Sequence, residues 1–600
     1  MKGYFLKLLK IDVTSKTFSS EPVDKALLSA FIGGKGFATQ LLLDYNPPGI
    51  DPLEPENHLI LVPGPLAGSS LYGSSRYGVF AKSPLTGFYG ESYSGGSFAE
   101  PLSNTGFDAV IIKGASDSPV WLEINSDTVL FHDATHLWGK DTFETEEHLK
   151  KHSNGKKSGV MVIGPAGENL VRFAVIKNDK YRVAGRTGMG AVLGSKKIKG
   201  IVCYGDKKRI FHDPEGIKKY RKEMLKRLKD DPVVHAYKTM GTPMMVDIMN
   251  NAGAFPTKYW KHGKFAKKDN INASAMAKRL NPKPHACRDC FLACGKSTQV
   301  QQGRHKGLKL EGPEYETIYS FGGLCMIDEI EEIAYLNRLC DSLGIDTISS
   351  GNLAAFAIEA SKQGKINEKL EYGSADDVAN LIQKIVNRQG VGGVLAEGIK
   401  PAAEELDMQN DIVHVKGMEP AGYDPRVLKG MGLAYAVSER GACHLRTTFY
   451  KAELSGMIKS DAVEEKVEVF TDFEDRCTLF DSFILCRFFR DLYPWEELSK
   501  LLYLTTGLSY DQKELASIAG NIKDNTRFFN LREGLTAQDD TLSPRLYDNK
   551  LEGEKGISKD ELKKLVLEYY KIRGWDAKGI PQQSKQTIKA KQTIKEVGPK

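Results

Sequence analysis

Nowhere in its 600 residues does the chain sustain the roughly 18 consecutive apolar residues that a membrane-crossing helix needs. The opening Met1-Lys-Gly-Tyr-Phe-Leu-Lys stretch is too short in apolar length and too charged for a secretory leader. A cytoplasmic protein without a membrane partner is therefore expected. Cysteine is sparse: nine residues, an odd number scattered over a long chain, argue against a disulfide framework and for free thiols or metal ligation. Net charge is also small. The formal +6 comes partly from the lysine-rich stretch after Gly574, and no dense Arg/Lys run with interleaved aromatics accompanies it, so nucleic acid is not expected as a partner.

An apolar content of 41% with 27% charged residues describes a globular chain, and its length exceeds what one core can fill, so two to four domains are expected. Short β-like runs at 5–13, 59–62, 109–113, 120–124, 160–163 and 200–204 are bounded by Gly, Pro, Asn or Asp. Glycine-dense loops at 73–78, 89–96 and 184–194 separate them, where backbone could approach a ligand closely. After Asp206 the spacing turns helical, at 214–228, 329–343, 353–363 and 375–388, then at 428–437, 467–489 and 498–505. A strand-like link at 411–418 leads into Glu419-Pro-Ala-Gly-Tyr-Asp-Pro-Arg. The fold class predicted is α+β multidomain: a β-rich domain over 1–208, then two mostly helical domains over 209–414 and 415–600. A polar tail from about Gln582 carries the near-repeat Lys-Gln-Thr-Ile-Lys at 585–589 and 591–595 and no core.

The most informative local motif is Cys287-Arg-Asp-Cys290-Phe-Leu-Ala-Cys294-Gly295. Three thiolates at this spacing on one loop-to-helix turn can meet three corners of a cubane, the fourth coming from elsewhere. A zinc site completed by His285, or a redox pair with one buried cysteine, remains open on these residues alone. Cys203 sits in an apolar strand, and Cys340 and Cys477 lie on apolar helical faces, as core residues do. Cys486 differs, because it ends Asp481-Ser-Phe-Ile-Leu-Cys486, an echo of Asp341-Ser-Leu-Gly-Ile-Asp346 in the preceding domain.

Along nearly its whole length the sequence resembles the aldehyde:ferredoxin oxidoreductases. The resemblance is carried by Phe31-Ile-Gly-Gly-Lys-Gly-Phe, Gly64-Pro-Leu-Ala-Gly, Ser75-Arg-Tyr, Lys82-Ser-Pro-Leu-Thr-Gly87 and Ser94-Gly-Gly96. It continues through Ile163-Gly-Pro-Ala-Gly-Glu-Asn169, Glu311-Gly-Pro-Glu-Tyr-Glu316, Asp424-Pro-Arg, Gly441–His444 and Tyr570-Lys-Ile-Arg-Gly-Trp575. It implies oxidation of an aldehyde to a carboxylate, with electrons leaving to ferredoxin or an iron–sulfur partner subunit; the alternatives are a low-potential tungsten reductase of an aromatic CoA thioester or carboxylic acid on the same fold and, more remotely, a non-redox Fe–S binding module. The cofactors implied are tungsten (or molybdenum) held by two pyranopterins, a Mg²⁺ bridging their phosphates, and a [4Fe-4S] cluster.

By motif position the resemblance assigns Cys287, Cys290, Cys294 and Cys486 to the cluster. It assigns Asp341, Gly344, Ile345 and Asp346 on one side, and Asp481 and Leu485 on the other, to the two pterins. Carboxylates suit an amino-pyrimidine edge because they accept paired N–H donors. Arg76 falls between cluster and pterin, Arg186 is a phosphate-binding candidate, and Arg446 stands where a pterin-binding lysine is common. The backbone carbonyls of Tyr93, beside Ser94 and Gly95, and of Val183 occupy Mg²⁺-ligating positions. Glu316 and His444 take the positions of the two active-site ionisable residues, with Glu314 as the second carboxylate. The pattern departs at Tyr335 and Arg338, which replace an interface Glu and His, so a homodimer here would form without a bridging iron. It departs also at Ile484, which replaces a glycine. Cys325 is expected as a buried structural cysteine, ligation of the metal being the alternative.

Overall fold

The computed structural model describes the chain apart from residues 154–156, 460–461, 463–464, 549–550, 552–555 and 583–600. The near-repeat at 585–589 and 591–595 thus lies outside the described residues. Among those described, no helix is long and apolar enough to cross a membrane.

Two six-stranded sheets occupy the first 203 residues. Strands β1 (Lys7–Asp12), β2 (Thr17–Pro22), β3 (Leu59–Val62), β4 (Tyr77–Lys82), β5 (Tyr89–Ser94) and β6 (Ala109–Lys113) form one, in the order β2-β1-β6-β3-β4-β5. Strands β7 (Val120–Ile124), β8 (Val129–Asp133), β9 (Gly159–Ile163), β10 (Ile176–Asn178), β11 (Arg182–Ala184) and β12 (Ile198–Cys203) form the other, in the order β11-β10-β9-β12-β7-β8. The alternation of side chains explains the layering. Leu9, Ile11, Leu59 and Leu61 share one core with Leu122, Met161, Ile163 and Ile201, so the two sheets pack face to face. The neighbouring residues Leu8, Ile60, Val62 and Ile111 turn the other way, onto Phe37, Ala38 and Leu41 of the helix Gly34–Tyr45. With both faces covered, β3 reads as the unbroken apolar run Leu-Ile-Leu-Val, whereas the edge strand β2 is polar and exposed.

The remainder is mostly helical and surrounds two further cores. A three-stranded sheet, β13 (Lys283–His285), β14 (Gly295–Gln299) and β15 (Lys309–Glu311), is set among the helices. The helical segments appear where periodicity placed them, with ends set by local chemistry. Asp346 accepts from Ser349 N at 2.9 Å and so starts its helix at Thr347, six residues before the apolar spacing becomes visible at Leu353. The helix expected over 467–489 stops at Phe483, because Ile484 turns left-handed at φ 57°.

Two local expectations are corrected. The link at 411–418 is not a strand: Lys416 and Gly417 both take positive φ, and the chain reverses through a single Val415–Met418 bridge. The cysteine motif is not on a loop-to-helix turn either. It is the connection between β13 and β14, where left-handed Asp289 (φ 51°) and Ala293 (φ 44°) interrupt any helical path.

Candidate functional site

A cavity of about 720 Å³ lies where the two sheets meet the helical segments. Most of the residues singled out in the sequence converge on it: Arg76, Tyr93, Gly95, Val183 and Arg186 from the β-rich part, Glu316, Asp341 and Asp346 from the middle of the chain, and His444, Arg446, Asp481 and Leu485 from its last third. Cys287, Cys290, Cys294 and Cys486 line the same space. Ser94, Gly344 and Ile345 lie behind its wall. Ser94 Oγ bonds Asn178 Oδ1 at 2.7 Å, Gly344 O accepts from Val175 N at 2.9 Å, and Ile345 bridges to Ala174, so the last two tie the Asp341 turn to the sheet.

The two aspartate turns are built alike. The helices Ile330–Leu343 and Lys466–Phe483 each end in a left-handed residue, Gly344 (φ 73°) and Ile484 (φ 57°), which swings the chain back along the cavity. A left-handed isoleucine is strained, and its side chain is accommodated by glycines opposite: a Cβ on Gly64 would sit 2.7 Å from Ile484 Cγ1. Asp341 pairs with Lys177 Nζ and accepts from Asn337 Nδ2 at 2.8 Å. Asp481 accepts from Arg446 Nη1 at 2.8 Å and from Arg487 Nη2 at 2.7 Å. Arg446 also pairs with Glu91 Oε1 at 2.7 Å and lies over the Tyr93 ring.

The four cysteines come from two segments, three from the β13–β14 connection and Cys486 from the turn after the helix Lys466–Phe483. Gly95 packs directly under Cys287, where a Cβ would be 2.8 Å from the sulfur, and Gly96 N donates to that sulfur at 3.3 Å. Cys486 N is held by Gly73 O at 2.9 Å. Burial, then the neighbouring Cys486 and Cys287, push the Cys290 thiol up to about 12, and burial, then Cys486, Glu314 and Cys287, raises Cys294. Thiols this reluctant to ionise become thiolates when a metal takes the proton's place. Among the described residues no three ligating side chains close on one point that a single ion could occupy.

Glu316 lies in the short helical turn Tyr315–Thr317, which continues as a π-helical stretch, Ile318–Leu324, a rare geometry frequent at functional sites. Its Oε2 accepts from Gly422 N at 3.0 Å, and its Oε1 stands 3.5 Å from His444 Nε2. Burial pushes the Glu316 carboxyl up to about 8. Burial, then Arg186, Arg440, Arg446 and Arg490, hold His444 well below its ordinary value. Although the two are close enough to count as an ion pair, burial favours the neutral form of each, carboxylic acid and uncharged imidazole. Glu314, also lining the cavity, is engaged by Thr242 Oγ1, and burial raises its carboxyl.

Several site residues escaped the sequence. Tyr423 stacks on Tyr450 (4.1 Å) and His444 (5.4 Å), and both tyrosines wall the cavity beside the pair. Arg440 and Arg490 line it as well. A lone Tyr or Arg in sequence is ordinary; only Tyr423, within the Glu419–Arg426 stretch, carried a signal. The Nε atoms of Arg186, Arg440, Arg446 and Arg490 are buried without an acceptor among the described residues, a donor set suited to an anionic group such as a phosphate. Cys325 does not line the cavity; its thiol donates to Gly351 O at 3.3 Å inside the helical core. Tyr335 stacks on His305 at 4.3 Å and Arg338 covers the Phe143 ring at 3.5 Å.

Residues 8–205 match the family model of the aldehyde ferredoxin oxidoreductase N-terminal domain, and residues 219–587 match that for its domains 2 and 3. The chain belongs to the aldehyde ferredoxin oxidoreductase family and is an oxidoreductase. The tungsten-containing aldehyde ferredoxin oxidoreductase of Pyrococcus furiosus is 34% identical over 97% of this chain and 98% of that protein. Its counterpart from Thermococcus kodakarensis is 35% identical over 98% and 99%. A WOR-like subunit of an aliphatic sulfonate oxidoreductase from Pyrococcus furiosus is 28% identical over 97% and 96%. The solved active-site complex BamBC of benzoyl coenzyme A reductase superposes with a TM-score of 0.85 over 99% of both chains at 23% identity, a likeness of fold.

Proposed function

We propose that this protein oxidises an aldehyde to a carboxylic acid in a tungsten-dependent reaction, delivering the electrons to ferredoxin. The observation that carries the reading is the Glu316–His444 pair, sharing one cavity with four cysteines and two aspartate turns. The overall change is RCHO + H₂O → RCOO⁻ + 3H⁺ + 2e⁻, so the site must place a water, move protons and pass on two electrons.

Asp341 and Asp481, on opposite turns, would each receive the amino-pyrimidine edge of one pyranopterin, and the unsatisfied guanidinium N–H groups of Arg186 and Arg446 would receive its phosphates. A Mg²⁺ near the Tyr93 and Val183 carbonyls would compete with Arg76, whose Nη2 donates to Tyr93 O at 3.0 Å. Cys287, Cys290, Cys294 and Cys486 would hold a [4Fe-4S] cluster. A tungsten (or molybdenum) centre held there would supply a two-electron acceptor, and a cluster held by the four cysteines would supply a one-electron relay.

The protein's own part is acid–base and electrostatic. Burial raises the Glu316 carboxyl to about 8, so once ionised it is a stronger base than an ordinary carboxylate and can take a proton from the attacking water. His444, kept neutral by burial and then by its four arginines, can donate one hydrogen bond to the aldehyde oxygen without first losing a proton. The rings of Tyr423 and Tyr450 exclude bulk water beside the pair.

Elemental analysis of the purified protein tests the reading together with the Cys486→Ala variant. The wild type is expected to contain tungsten and about four irons, one cubane, and to oxidise aldehydes with a viologen acceptor. Cys486→Ala should lose iron while tungsten remains. A wild type devoid of tungsten and molybdenum, or a variant with full iron, would refute it.

A further inference from the structure

The helix Pro214–Arg227 has more positive charge than its place in the fold requires. Residues 214–229 contain seven basic side chains and two acidic ones, a surplus of five in a chain whose whole formal charge is +6. Ile217, Tyr220 and Met224 bury one face of this helix against the core that also receives Leu292, Cys290, Phe291 and Cys486. Arg221 stands at the edge of that face. Its Nη2 reaches Asp289 Oδ1 at 3.5 Å, its guanidinium covers the Tyr72 ring at 5.2 Å, and Tyr72 meets Phe291 edge-on. Asp289 and Phe291 flank Cys290, so the helix touches the cysteine loop itself.

At about 100° per residue, Leu225, Lys218, Lys222 and Lys226 follow one another around the helix, starting immediately beside Arg221 and spanning about a further 100° of arc, and Lys229 lies in the turn that follows the helix. All are exposed, Leu225 by 46%. Lys218 pairs with Glu215 at 2.6 Å, but Lys222, Lys226 and Lys229 have no acidic partner among the described residues. Such a stripe contributes nothing to the core, and its like charges repel one another. An exposed leucine ringed by unpaired lysines, bordering a cysteine loop, has the anatomy of a docking surface: a small apolar centre with a charged rim.

We infer that this helix face docks an acidic one-electron iron–sulfur carrier protein and holds it against the cysteine loop. The inference rests on the proposed exit of electrons through those cysteines. Charge complementarity selects the partner: a ferredoxin of net negative charge is steered to the stripe from beyond contact distance, over a Debye length of about 8–10 Å at physiological salt. Each docked oxidised carrier accepts one electron and leaves reduced, so two dockings complete one aldehyde oxidation.

The test uses the full-length holoenzyme carrying Lys222→Glu, Lys226→Glu and Lys229→Glu together. Its KM for an acidic bacterial-type ferredoxin should rise about tenfold or more, and the salt dependence of kcat/KM with that carrier should flatten or reverse. Turnover with benzyl viologen, too small to need a docking surface, should stay at the wild-type value, which also shows that the variant folds. Leu225→Ala should raise the ferredoxin KM without changing the salt dependence. Calorimetric binding of oxidised ferredoxin, measured without aldehyde, reads docking even if aldehyde oxidation itself proves wrong, so the two failures are distinguishable. Unchanged KM and unchanged binding would overturn the inference. So would a triple variant that loses affinity for duplex DNA while keeping its affinity for ferredoxin.

Discussion

The two aspartate turns share a design and differ in their chemistry. The turn at Asp341 comes with the carboxylate side of the site: burial raises both Asp341 and, nearby in the chain, Glu316, and a single lysine, Lys177, faces the aspartate. The turn at Asp481 comes with the cationic side: Arg446 and Arg487 grip its carboxylate, Arg440 and Arg490 line the same wall, and burial, then Arg186 with Arg440, Arg446 and Arg490, disfavours protonation of His444. One half of the helical region therefore supplies an acid that holds its proton, and the other a base that refuses one. A site symmetric in backbone becomes asymmetric in proton affinity through its side-chain partners. That asymmetry is what a reaction moving protons in one direction needs.

Removing an aspartate from either turn should give the largest effect. Asp481→Ala leaves the buried Arg487 without a carboxylate and Arg446 with Glu91 alone, and should cost the apoprotein about 3–5 kcal/mol. Asp341→Ala strands one lysine that can shed its proton and should cost less. Denaturant unfolding of the two variants checks the order, and equal losses would erase the proposed difference between the halves.

At the junction of the halves, Glu316→Gln and His444→Asn should each lower kcat by about 10²-fold or more with metal content unchanged. In the wild type, kcat/KM should climb as pH rises through about 8, where Glu316 loses its proton, and Glu316→Gln should abolish that climb. Stability should respond in the opposite sense. A carboxyl whose folded affinity is raised from 4.5 to about 8 loses stability across that interval as pH rises, because only the unfolded chain has released its proton. Glu316→Gln should therefore raise the Tm of the apoprotein at pH 8 and leave it little changed at pH 4. A Tm advantage independent of pH would show that Glu316 is ionised in the fold.

A smaller contrast concerns the left-handed residues. Gly344→Ala places a Cβ 2.7 Å from Gly164 N, a backbone atom, and adds left-handed strain of about 1–2 kcal/mol, so it should destabilise by about 2 kcal/mol or more. Ile484→Gly relieves comparable strain while emptying the pocket between Gly64 and Gly78, and the two effects should largely offset, leaving a net loss of about 1–3 kcal/mol. Thermal unfolding of both variants compares them, and a stabilised Ile484→Gly would mean that the side chain packs poorly.

Local signals in the sequence were read well where one stretch of chain decides its own structure. Leu59–Val62 is an apolar run of four and forms a strand of those four residues. The helix expected from Pro214 starts there, with Pro at its first position and the Asp213 side chain as its cap. They were misread where the backbone takes a conformation that residue type disfavours: at Lys416, at Asp289 and Ala293, and at Ile484, non-glycine residues sit at positive φ. No propensity announces such positions, because tertiary contacts hold them.

By itself, then, the amino-acid sequence determined the strand-rich beginning, the helical remainder, the three-cysteine spacing and the pair of aspartate turns, since each depends on residues within a few positions of one another. The tertiary structure alone decided that Glu316 and His444 stand 3.5 Å apart, that Tyr423 and Tyr450 wall them in, and which arginines surround the imidazole. Those contacts join side chains distant along the chain. Their proton affinities follow from burial and from charges several ångströms away, quantities that exist only once the cores have packed.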